Sequence, residues 1–418
     1  MSDLAWIEAA LTAARPQAVG ALMRYFRDLD TAEEAYQDAC LRALKSWPQN
    51  GPPRDPAAWL ILVGRNAALD QVRKTSRLKP LPAEELISDL GDAEEAAADQ
   101  VDGDSYRDDV LRLMFICCHP DLPATQQVAL ALRIVSGLSV VQIARAFLVS
   151  EAAMEQRITR AKGRIAASGA SFETPGAIER SQRLAAVATM IYLVFNEGYS
   201  AGADQQARAR LCDEAIRLAR LLIRLFQNEP EIMGLTALML LQHARSAARY
   251  APDGQVILLE DQDRALWNPQ LIAEGFALLD KAMRHRRRGP YQVQAAIAAL
   301  HARAAKAADT DWAQIDLLYG ALEQLEPSPV VTLNRAVAVW KVRGPAAALE
   351  MIDPLEPRLG GYFHFHGARG AFLKELGRAA EAREAFNRAI SLANSPAEAA
   401  HIRMHLDNLS KEAAARSA

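Results

Sequence analysis

The stretch GLSVVQIARAFLVSEAAMEQRITRAKGRI, Gly137 to Ile165, decides the fold of the N-terminal part of the chain. Ser139 and Gln142 have the Ser-x-x-Gln spacing of a capping box, which predicts the start of a short helix. Residues 147–149 then leave room only for a tight turn, and Ser150 is a good N-cap for a second helix. The stretch therefore predicts a helix-turn-helix.

The second helix of this motif has two chemically different faces. Met154, Ile158 and Ile165 line the apolar face. The opposite face carries the polar candidates Gln156, Arg157, Arg160, Lys162 and Arg164. These donors suit phosphate oxygens and guanine edges in a major groove. A solvated basic helix is the alternative, but the capped helix and tight turn before it favour DNA reading.

A second basic helix is predicted upstream, in RDPAAWLILVGRNAALDQVRKTSR, residues 54–77. Asp55 can cap its first turn, where Pro56 is also well suited. Aromatic and basic side chains alternate along it, a composition that suits the binding of separated single-stranded bases. The candidates are Trp59, Arg65, Asn66, Arg73 and Lys74. Trp59 could equally be a core residue.

The charge pattern divides a chain that is nearly neutral overall, with a net charge of -3 over 418 residues. Residues 83–109 contain eleven acidic residues against Arg107 alone, which predicts an extended or disordered linker. Beyond residue 174 the sequence is a series of Ala- and Leu-rich amphipathic segments broken by Pro and Gly, without a strand-like alternation. The predicted fold class is all-α.

The C-terminal half contains a weak repeat. Three triplets with the same internal spacing lie 33 and 34 residues apart: Ile315/Tyr319/Leu322, Ala348/Ile352/Leu355 and Ala382/Phe386/Ala389. Ala336 and Gly370 occupy the small position on the preceding helix, whereas Arg303 departs from it. This period resembles the tetratricopeptide repeat, so we expect TPR-like helix pairs that present a concave surface to a partner.

The segment LLEDQDRALWN carries the densest polar cluster of this half. Its candidate residues are Asp261, Asp263, Arg264 and Trp267. Paired carboxylates could serve acid–base catalysis, but no nucleophile, metal-ligand set or phosphate loop accompanies them. We therefore expect a structural or interdomain salt-bridge network, with a regulatory contact as its function, and no enzyme activity.

Other features exclude further classes of protein. Cys117 and Cys118 have no second ligand pair nearby, so we expect packed thiols, no metal site and no cofactor. No apolar run approaches the roughly 20 residues that span a bilayer, and the N-terminus lacks a signal-peptide pattern. These observations predict a cytoplasmic protein that does not contact membranes.

Two motifs together resemble the bacterial extracytoplasmic-function (ECF) sigma factors. W-L-x-x-V-x-R-N-x-x-x-D-x-x-R begins at Trp59, and M-x-x-R-I-x-R-A-K begins at Met154. Upstream, DLDTAEEAYQDACLRAL is similar to the D-x-A-E-D-x-x-Q-E-x-F motif of that family. Gly64 departs from the motif that begins at Trp59, because the family more often has Ala at this position. The resemblance covers roughly residues 10 to 170.

The resemblance implies roles for the candidate residues. A core RNA polymerase surface would include Glu33, Glu34, Gln37, Asp38 and Leu41. The helix after Asp55 would read the -10 element, and the helix after Ser150 would read the -35 element. The implied domains are sigma region 2 (1–82), the acidic linker (83–109), region 4 (110–170) and a TPR-like regulatory domain (171–418).

The C-terminal half narrows the resemblance to a subgroup of these factors with a TPR-like extension, through LRLMFICCHPDLP, YLVFNEGYSA, LLEDQDRALWN and GPYQVQAAIAALHA. The implied partners are core RNA polymerase and promoter DNA; an anti-sigma protein is possible but not required. Two alternatives stay open. One is a helix-turn-helix regulator with a TPR-like sensing domain, and the other is a scaffold protein with a vestigial DNA-binding half.

Overall fold

The computed structural model describes residues 5–51, 53–75, 103–119, 121–147, 149–168, 177–199, 205–251, 256–393, 399–400 and 402–409. Within these ranges, the side chains of 69–75, 103–108, 111, 177–183 and 205–208 are not described. Most of the predicted acidic linker and the side chains of Arg73 and Lys74 therefore lie outside the described residues.

The chain forms two compact units, Met1–Glu197 and Gly198–Ala418. Helices account for the secondary structure of the described residues, apart from one isolated β-bridge between Tyr250 and Val256. The prediction of an all-α fold is thus confirmed. None of the helices in the described part of the chain is both long and apolar enough to cross a membrane.

The first unit begins with a bundle of three helices. Its helices are α1 (Ala5–Phe26), α2 (Leu29–Asn50), α3 (Pro56–Thr75), α4 (Gly103–Cys117), α5 (Ala124–Ile134), α6 (Val140–Ala146), α7 (Glu151–Ser168) and α8 (Ala177–Tyr199), the last two residues of α8 belonging to the second unit. Helices α1, α2 and α3 pack on one another around Leu22, Trp47 and Leu60.

Side-chain caps fix the starts of several of these helices. The Asp28 carboxylate accepts a hydrogen bond from the backbone N–H of Thr31 at 2.8 Å, which caps α2. Asp55 accepts from the N–H of Ala57 at 2.9 Å and caps α3 as the sequence predicts. The capping box at the start of α6 is also present, because Ser139 and Gln142 bond reciprocally at 2.8 and 3.2 Å.

Two glycines allow helices of the first unit to approach closely. A Cβ on Gly20 would lie 2.8 Å from the backbone oxygen of Asp109 on α4. A Cβ on Gly64 would lie 2.8 Å from the backbone oxygen of Ala35 on α2. The departure from the family pattern at Gly64 therefore has a structural cause, since α3 crosses α2 here without room for a methyl group.

Helix α4 corrects the predicted extent of the linker. It begins at Gly103, so the last seven residues of the segment expected to be extended are helical. Asp109, on α4, is buried against α1. Its carboxylate pairs with Arg24 at 3.4 Å and with Arg112 at 3.0 Å. This acidic residue is a packed part of the first unit, and residues 83–102 lie outside the described ranges.

The helix-turn-helix consists of α6 and α7, which pack on α5 and on each other. Met154, Ile158 and Ile165 are buried as predicted. The N–H of Ala153 donates to the Ser150 hydroxyl at 3.2 Å, in the capping position expected for α7.

The second unit continues as helical hairpins. Its helices are α9 (Gln205–Leu225), α10 (Pro230–His243), α11 (Pro269–Arg284), α12 (Pro290–Arg303), α13 (Trp312–Leu325), α14 (Pro329–Arg343), α15 (Pro345–Ile352), α16 (Glu356–Leu359), α17 (Phe363–Glu375) and α18 (Ala379–Leu392), followed by a helical stretch at 402–409. The pairs α12–α13, α14–α15 and α17–α18 pack as antiparallel neighbours.

The repeated triplets lie on the second helix of each pair, except Leu355, which lies in the 3-10 turn after α15. Their side chains are buried apart from the half-buried Tyr319 and Leu355. On the first helix of the last pair, a Cβ on Gly370 would lie 2.5 Å from the ring of Phe386, so the small residue lets α17 and α18 touch. At the departing position, the Arg303 guanidinium lies 5.2 Å from the ring centroid of Phe276.

Candidate functional site

One face of α2 is exposed and carries most of the predicted polymerase-binding residues. Glu34 and Gln37 are exposed, Asp38 is half-buried, and Leu41 is 59% exposed. The spacing of these residues places them along one side of the helix. Leu44, 45% exposed, extends the same face by three residues, and the sequence reasoning missed it. Two exposed leucines beside carboxylates form an apolar and acidic patch, which we call the α2 face.

Glu33 departs from this group because it is buried. Its side chain is only 6% exposed, and three cations surround its carboxylate. Arg15 lies 3.3 Å away, Arg133 lies 3.1 Å away, and Lys162 lies 3.0 Å away. In this conformation Glu33 is not accessible to a partner, so its role in polymerase binding stays a prediction.

Lys162 also differs from the other candidates on α7. Its ammonium group donates to Glu33 and, at 2.6 Å, to Asp30. Burial opposes its charge, but the hydrogen bonds and charges of the two carboxylates outweigh burial and raise the pKa of Lys162. Glu33, a predicted polymerase contact, is thus paired with Lys162, a predicted DNA contact. In this conformation neither side chain is free for its predicted partner.

Arg15 completes this contact from α1. Its Nε donates to the backbone oxygen of Ile134 at 2.9 Å, and its Nη2 donates to that of Arg133 at 3.2 Å. These carbonyls lie at the C-terminal end of α5, where a cation is favourable. The guanidinium also lies 4.8 Å from the ring centroid of Tyr36. We call Arg15, Glu33, Arg133 and Lys162 the Glu33 cluster; it ties α1 and α2 to the helix-turn-helix.

The remaining predicted DNA contacts on α7 lie on its outer face. Gln156, Arg160 and Arg164 are exposed and follow one another at four-residue spacing, while Arg157 is half-buried at the edge. The buried face of the same helix is anchored in the core of the helix-turn-helix. A rigidly held helix therefore presents these three side chains in one row, without a carboxylate between them on that row.

Helix α3 places its candidates differently. Trp59 is buried, with its ring centroid 5.3 Å from that of Trp47, so the core alternative describes it in this conformation. Arg65 and Asn66 are exposed. The Arg65 guanidinium lies 5.9 Å from the ring centroid of Tyr25, which is itself 53% exposed and was missed from the sequence.

The polar cluster of the second unit is built from turns and caps. Asp263 accepts from the N–H of Ala265 at 2.9 Å, and Asp261 is exposed. Arg264 donates to the backbone oxygens of His301 and Ala304 and lies 4.6 Å from the ring centroid of Trp267, which is buried. Arg264 thus bonds to backbone carbonyls, and the ion pair that this segment makes among the described residues joins Glu260 to Lys341 at 3.1 Å.

The thiols have the packed environment expected from the sequence. Cys117 and Cys118 are buried, and burial raises the pKa of both thiols, that of Cys118 to about 12. Within the described ranges, no group of three or more His, Cys, Asp or Glu side chains is arranged to hold a metal ion.

Comparisons with known proteins agree with this geometry. Residues 11–78 match the family Sigma-70 region 2, residues 112–165 match Sigma-70, region 4, and residues 183–283 match a family of unknown function, DUF6596. "Uncharacterized protein R00370" from Rhizobium meliloti (strain 1021) is 68% identical over 415 residues, which cover 99% of this chain and 98% of that protein. No solved structure gives a significant match.

A three-helix bundle followed by a helix-turn-helix, together with the matches to sigma-70 regions 2 and 4, supports an RNA polymerase sigma factor. Such factors are DNA-binding transcription initiation proteins and are not enzymes. The two matched regions support an ECF-type sigma factor, with the role of an alternative sigma factor in promoter-specific transcription. Its partners are core RNA polymerase and promoter DNA.

Proposed function

We propose that the chain acts in the cytoplasm as an alternative sigma factor whose own regions 2 and 4 hold each other closed until polymerase binds. The observation that carries the proposal is the Glu33 cluster, in which Lys162 of the predicted -35 helix pairs with Glu33 of the predicted polymerase-binding helix. Opening this contact releases both side chains for their partners.

The α2 face is the proposed docking surface for core polymerase. Leu41 and Leu44 supply the apolar centre, and Glu34, Gln37 and Asp38 supply a polar rim. Replacement of both leucines by alanine should weaken core binding by roughly tenfold or more, since each exposed leucine that becomes buried contributes about 1 kcal/mol or more. Leu317→Ala, at a 74% exposed leucine of the second unit, is the matched control. Equal binding by the double variant and the control would refute this docking surface.

The outer face of α7 is the proposed reader of the -35 element. Gln156, Arg160 and Arg164 lie in a row that fits successive base edges or phosphates in a major groove. Arg157 and, after opening, Lys162 would add contacts at the edge. Arg160→Ala should cost about 1 to 3 kcal/mol of holoenzyme binding to a promoter and none on a template without a -35 element.

The -10 element is assigned to α3 and its surroundings. Arg65 and Asn66 are the exposed candidates, and Arg73 and Lys74 lie further along the same helix. Tyr25, beside Arg65, adds an exposed ring on which an unpaired base could stack. Trp59 supports this surface from the core and keeps α3 in place against Trp47.

The second unit is proposed to adjust the activity of the first, as a TPR-like domain of a sigma-factor subgroup. Support comes from the 33- and 34-residue spacing of buried triplets on successive hairpins and from the tight Gly370–Phe386 contact. A chain ending at Glu197, the unit boundary, should differ from the full chain in transcription with core polymerase. Increased transcription would indicate inhibition by the second unit, reduced transcription would indicate a required contact, and equal transcription at equal folding would refute regulation. An anti-sigma partner is possible but not needed for this scheme.

A further inference from the structure

A cavity of about 670 Å³ lies within the second unit, between the residues that follow Leu258 and helices α12, α13 and α14. Its lining is mainly apolar and includes the rings of Trp312, Tyr319 and Trp340. A volume of this size and an aromatic lining with few polar groups are typical of small-molecule binding sites. The cavity uses Arg264 of the conspicuous LLEDQDRALWN segment, which neither the polymerase-binding nor the DNA-binding surface explains.

Neighbouring side chains hold the aromatic walls in position. The Nε1 of Trp340 donates to the Glu375 carboxylate at 2.9 Å, and its ring lies 5.4 Å from that of Phe372. The Trp312 ring lies 5.2 Å from the imidazole of His301, edge to face. Because both indoles are fixed before any ligand arrives, a flat ring system can enter without the entropy cost of ordering them.

The charged groups that line the cavity are two cations, Arg264 and Lys341, and one carboxylate, Glu260. The Lys341 ammonium lies 4.4 Å from the Trp340 ring centroid and 3.1 Å from the Glu260 carboxylate. Arg264 donates to two backbone oxygens, and no carboxylate among the described residues lies within ion-pair distance of it; the charge of Asp309 acts on it from further away. The charge of Lys341 is thus neutralised by the half-exposed Glu260, whereas Arg264 has no carboxylate in contact among the described residues.

His301, which also lines the cavity, does not add a third positive charge. Burial lowers the pKa of His301 to about 4, and the charges of Arg245 and Arg264 act in the same direction. Its imidazole is therefore neutral near pH 7, when it can accept or donate a single hydrogen bond. The charges of Arg245 and Arg264 favour an anion over a cation near His301, whereas burial disfavours either charge unless it is paired.

We propose that this cavity binds a small amphipathic acid, a fused or linked aromatic ring system with one carboxylate. The rings pack against the aromatic lining of Trp312, Tyr319 and Trp340. The carboxylate meets Arg264 and the Lys341 ammonium, which lies 4.4 Å from the Trp340 ring centroid and 6.0 Å from that of Trp312. The ligand carboxylate then replaces Glu260 as the partner of Lys341. This exchange changes the polar rim of the cavity when a ligand is bound. The proposal does not depend on sigma activity, because binding is measured on the full chain without polymerase or DNA.

The test is isothermal titration of the full chain with 2-naphthoate, using 2-naphthamide as the uncharged probe of the same shape. We expect saturable one-to-one binding of the acid and at least about tenfold weaker binding of the amide, the difference that one charge-assisted contact supplies. Absence of saturable binding at millimolar 2-naphthoate, or equal binding of acid and amide, would overturn the proposal.

Matched variants locate the site. Val337 lines the cavity from α14, so Val337→Trp should fill it and weaken 2-naphthoate binding at least about tenfold, whereas Val342→Trp at an exposed position of the same helix should not. Lys341→Met keeps the side-chain length and should also weaken binding about tenfold, whereas Lys281→Met on the exposed face of α11 should not. Thermal unfolding checks each fold. If Val337→Trp does not fold, Lys341→Met decides, and unchanged binding by it refutes the site.

Discussion

Replacement of Arg15 by methionine tests whether the Glu33 cluster keeps the sigma regions closed. Arg15 lies outside the proposed polymerase and DNA surfaces, so its loss removes no contact with either partner. Its two bonds to the backbone oxygens of Arg133 and Ile134 connect region 2 to region 4, whereas its bond to Glu33 lies within region 2. Only the first two bonds contribute to closure.

The expected magnitude follows from these two bonds. Each of these two hydrogen bonds to a neutral carbonyl contributes about 1 to 1.5 kcal/mol. Glu33 keeps Arg133 and Lys162 as partners after the change. A loss of about 2 to 3 kcal/mol of closure is therefore expected. If core polymerase binds the open form only, the apparent affinity of the full chain for core should rise roughly 30- to 150-fold.

The assay is the affinity of purified core polymerase for the labelled full chain, with thermal unfolding as the fold check. Arg164→Met makes the same chemical change on the outer face of α7 and should leave core affinity unaltered. Arg133→Met removes a 3.1 Å pair from the other side of the cluster and should act in the same direction as Arg15→Met. A folded Arg15→Met chain that binds core no better than the original chain would refute autoinhibitory closure.

Three further outcomes follow from packing and ionisation. Gly64→Ala should destabilise the first unit by about 1 to 3 kcal/mol because its methyl group would lie 2.8 Å from a backbone oxygen, whereas Gly163→Ala, with open space around it, should stabilise by up to about 1 kcal/mol; denaturant unfolding compares them. Gly370→Ala should destabilise the second unit by a similar 1 to 3 kcal/mol, roughly, through contact with the Phe386 ring. The pKa of His301 is about 4 in the folded chain, against about 6.5 in the unfolded chain. The second unit should therefore have its full stability above pH 6.5 and lose up to about 3 kcal/mol of it by pH 4, where the unfolded chain binds the proton more readily. Thermal scans should show that His301→Gln reduces this acid sensitivity.

Local features of the fold could be predicted from the sequence because they depend on residues close in the chain. The capping box of Ser139 and Gln142, the Asp55 cap and the apolar face of α7 all follow from spacing within one or two helical turns. The start of α4 could not be predicted in this way. Its first turns are acidic, and the cost of burying Asp109 against α1 is offset by its pair with Arg24, a residue distant in sequence.

Candidate residues could be predicted from the sequence where their role depends only on lying on an exposed helical face. They could not be predicted where their role depends on contacts between distant parts of the chain. Leu41 and Arg160 lie on exposed helical faces, as their spacing indicates. Glu33 and Lys162 are equally polar in the sequence, but they are separated by 129 residues and meet only in the folded unit. Arg264 shows the same limit, since a charged residue beside two aspartates bonds to carbonyls 37 and 40 residues away.

Run-off transcription tests most directly whether the chain acts as a sigma factor. Purified full chain would be added to sigma-free core polymerase from its own host, with a genomic promoter library as template and Arg160→Ala as the comparison. We predict transcripts that begin at a small shared set of promoters, depend on the added chain and fall with Arg160→Ala. A chain that neither binds core nor directs any promoter-specific transcript, with or without the Arg15→Met change that opens it, would contradict the account.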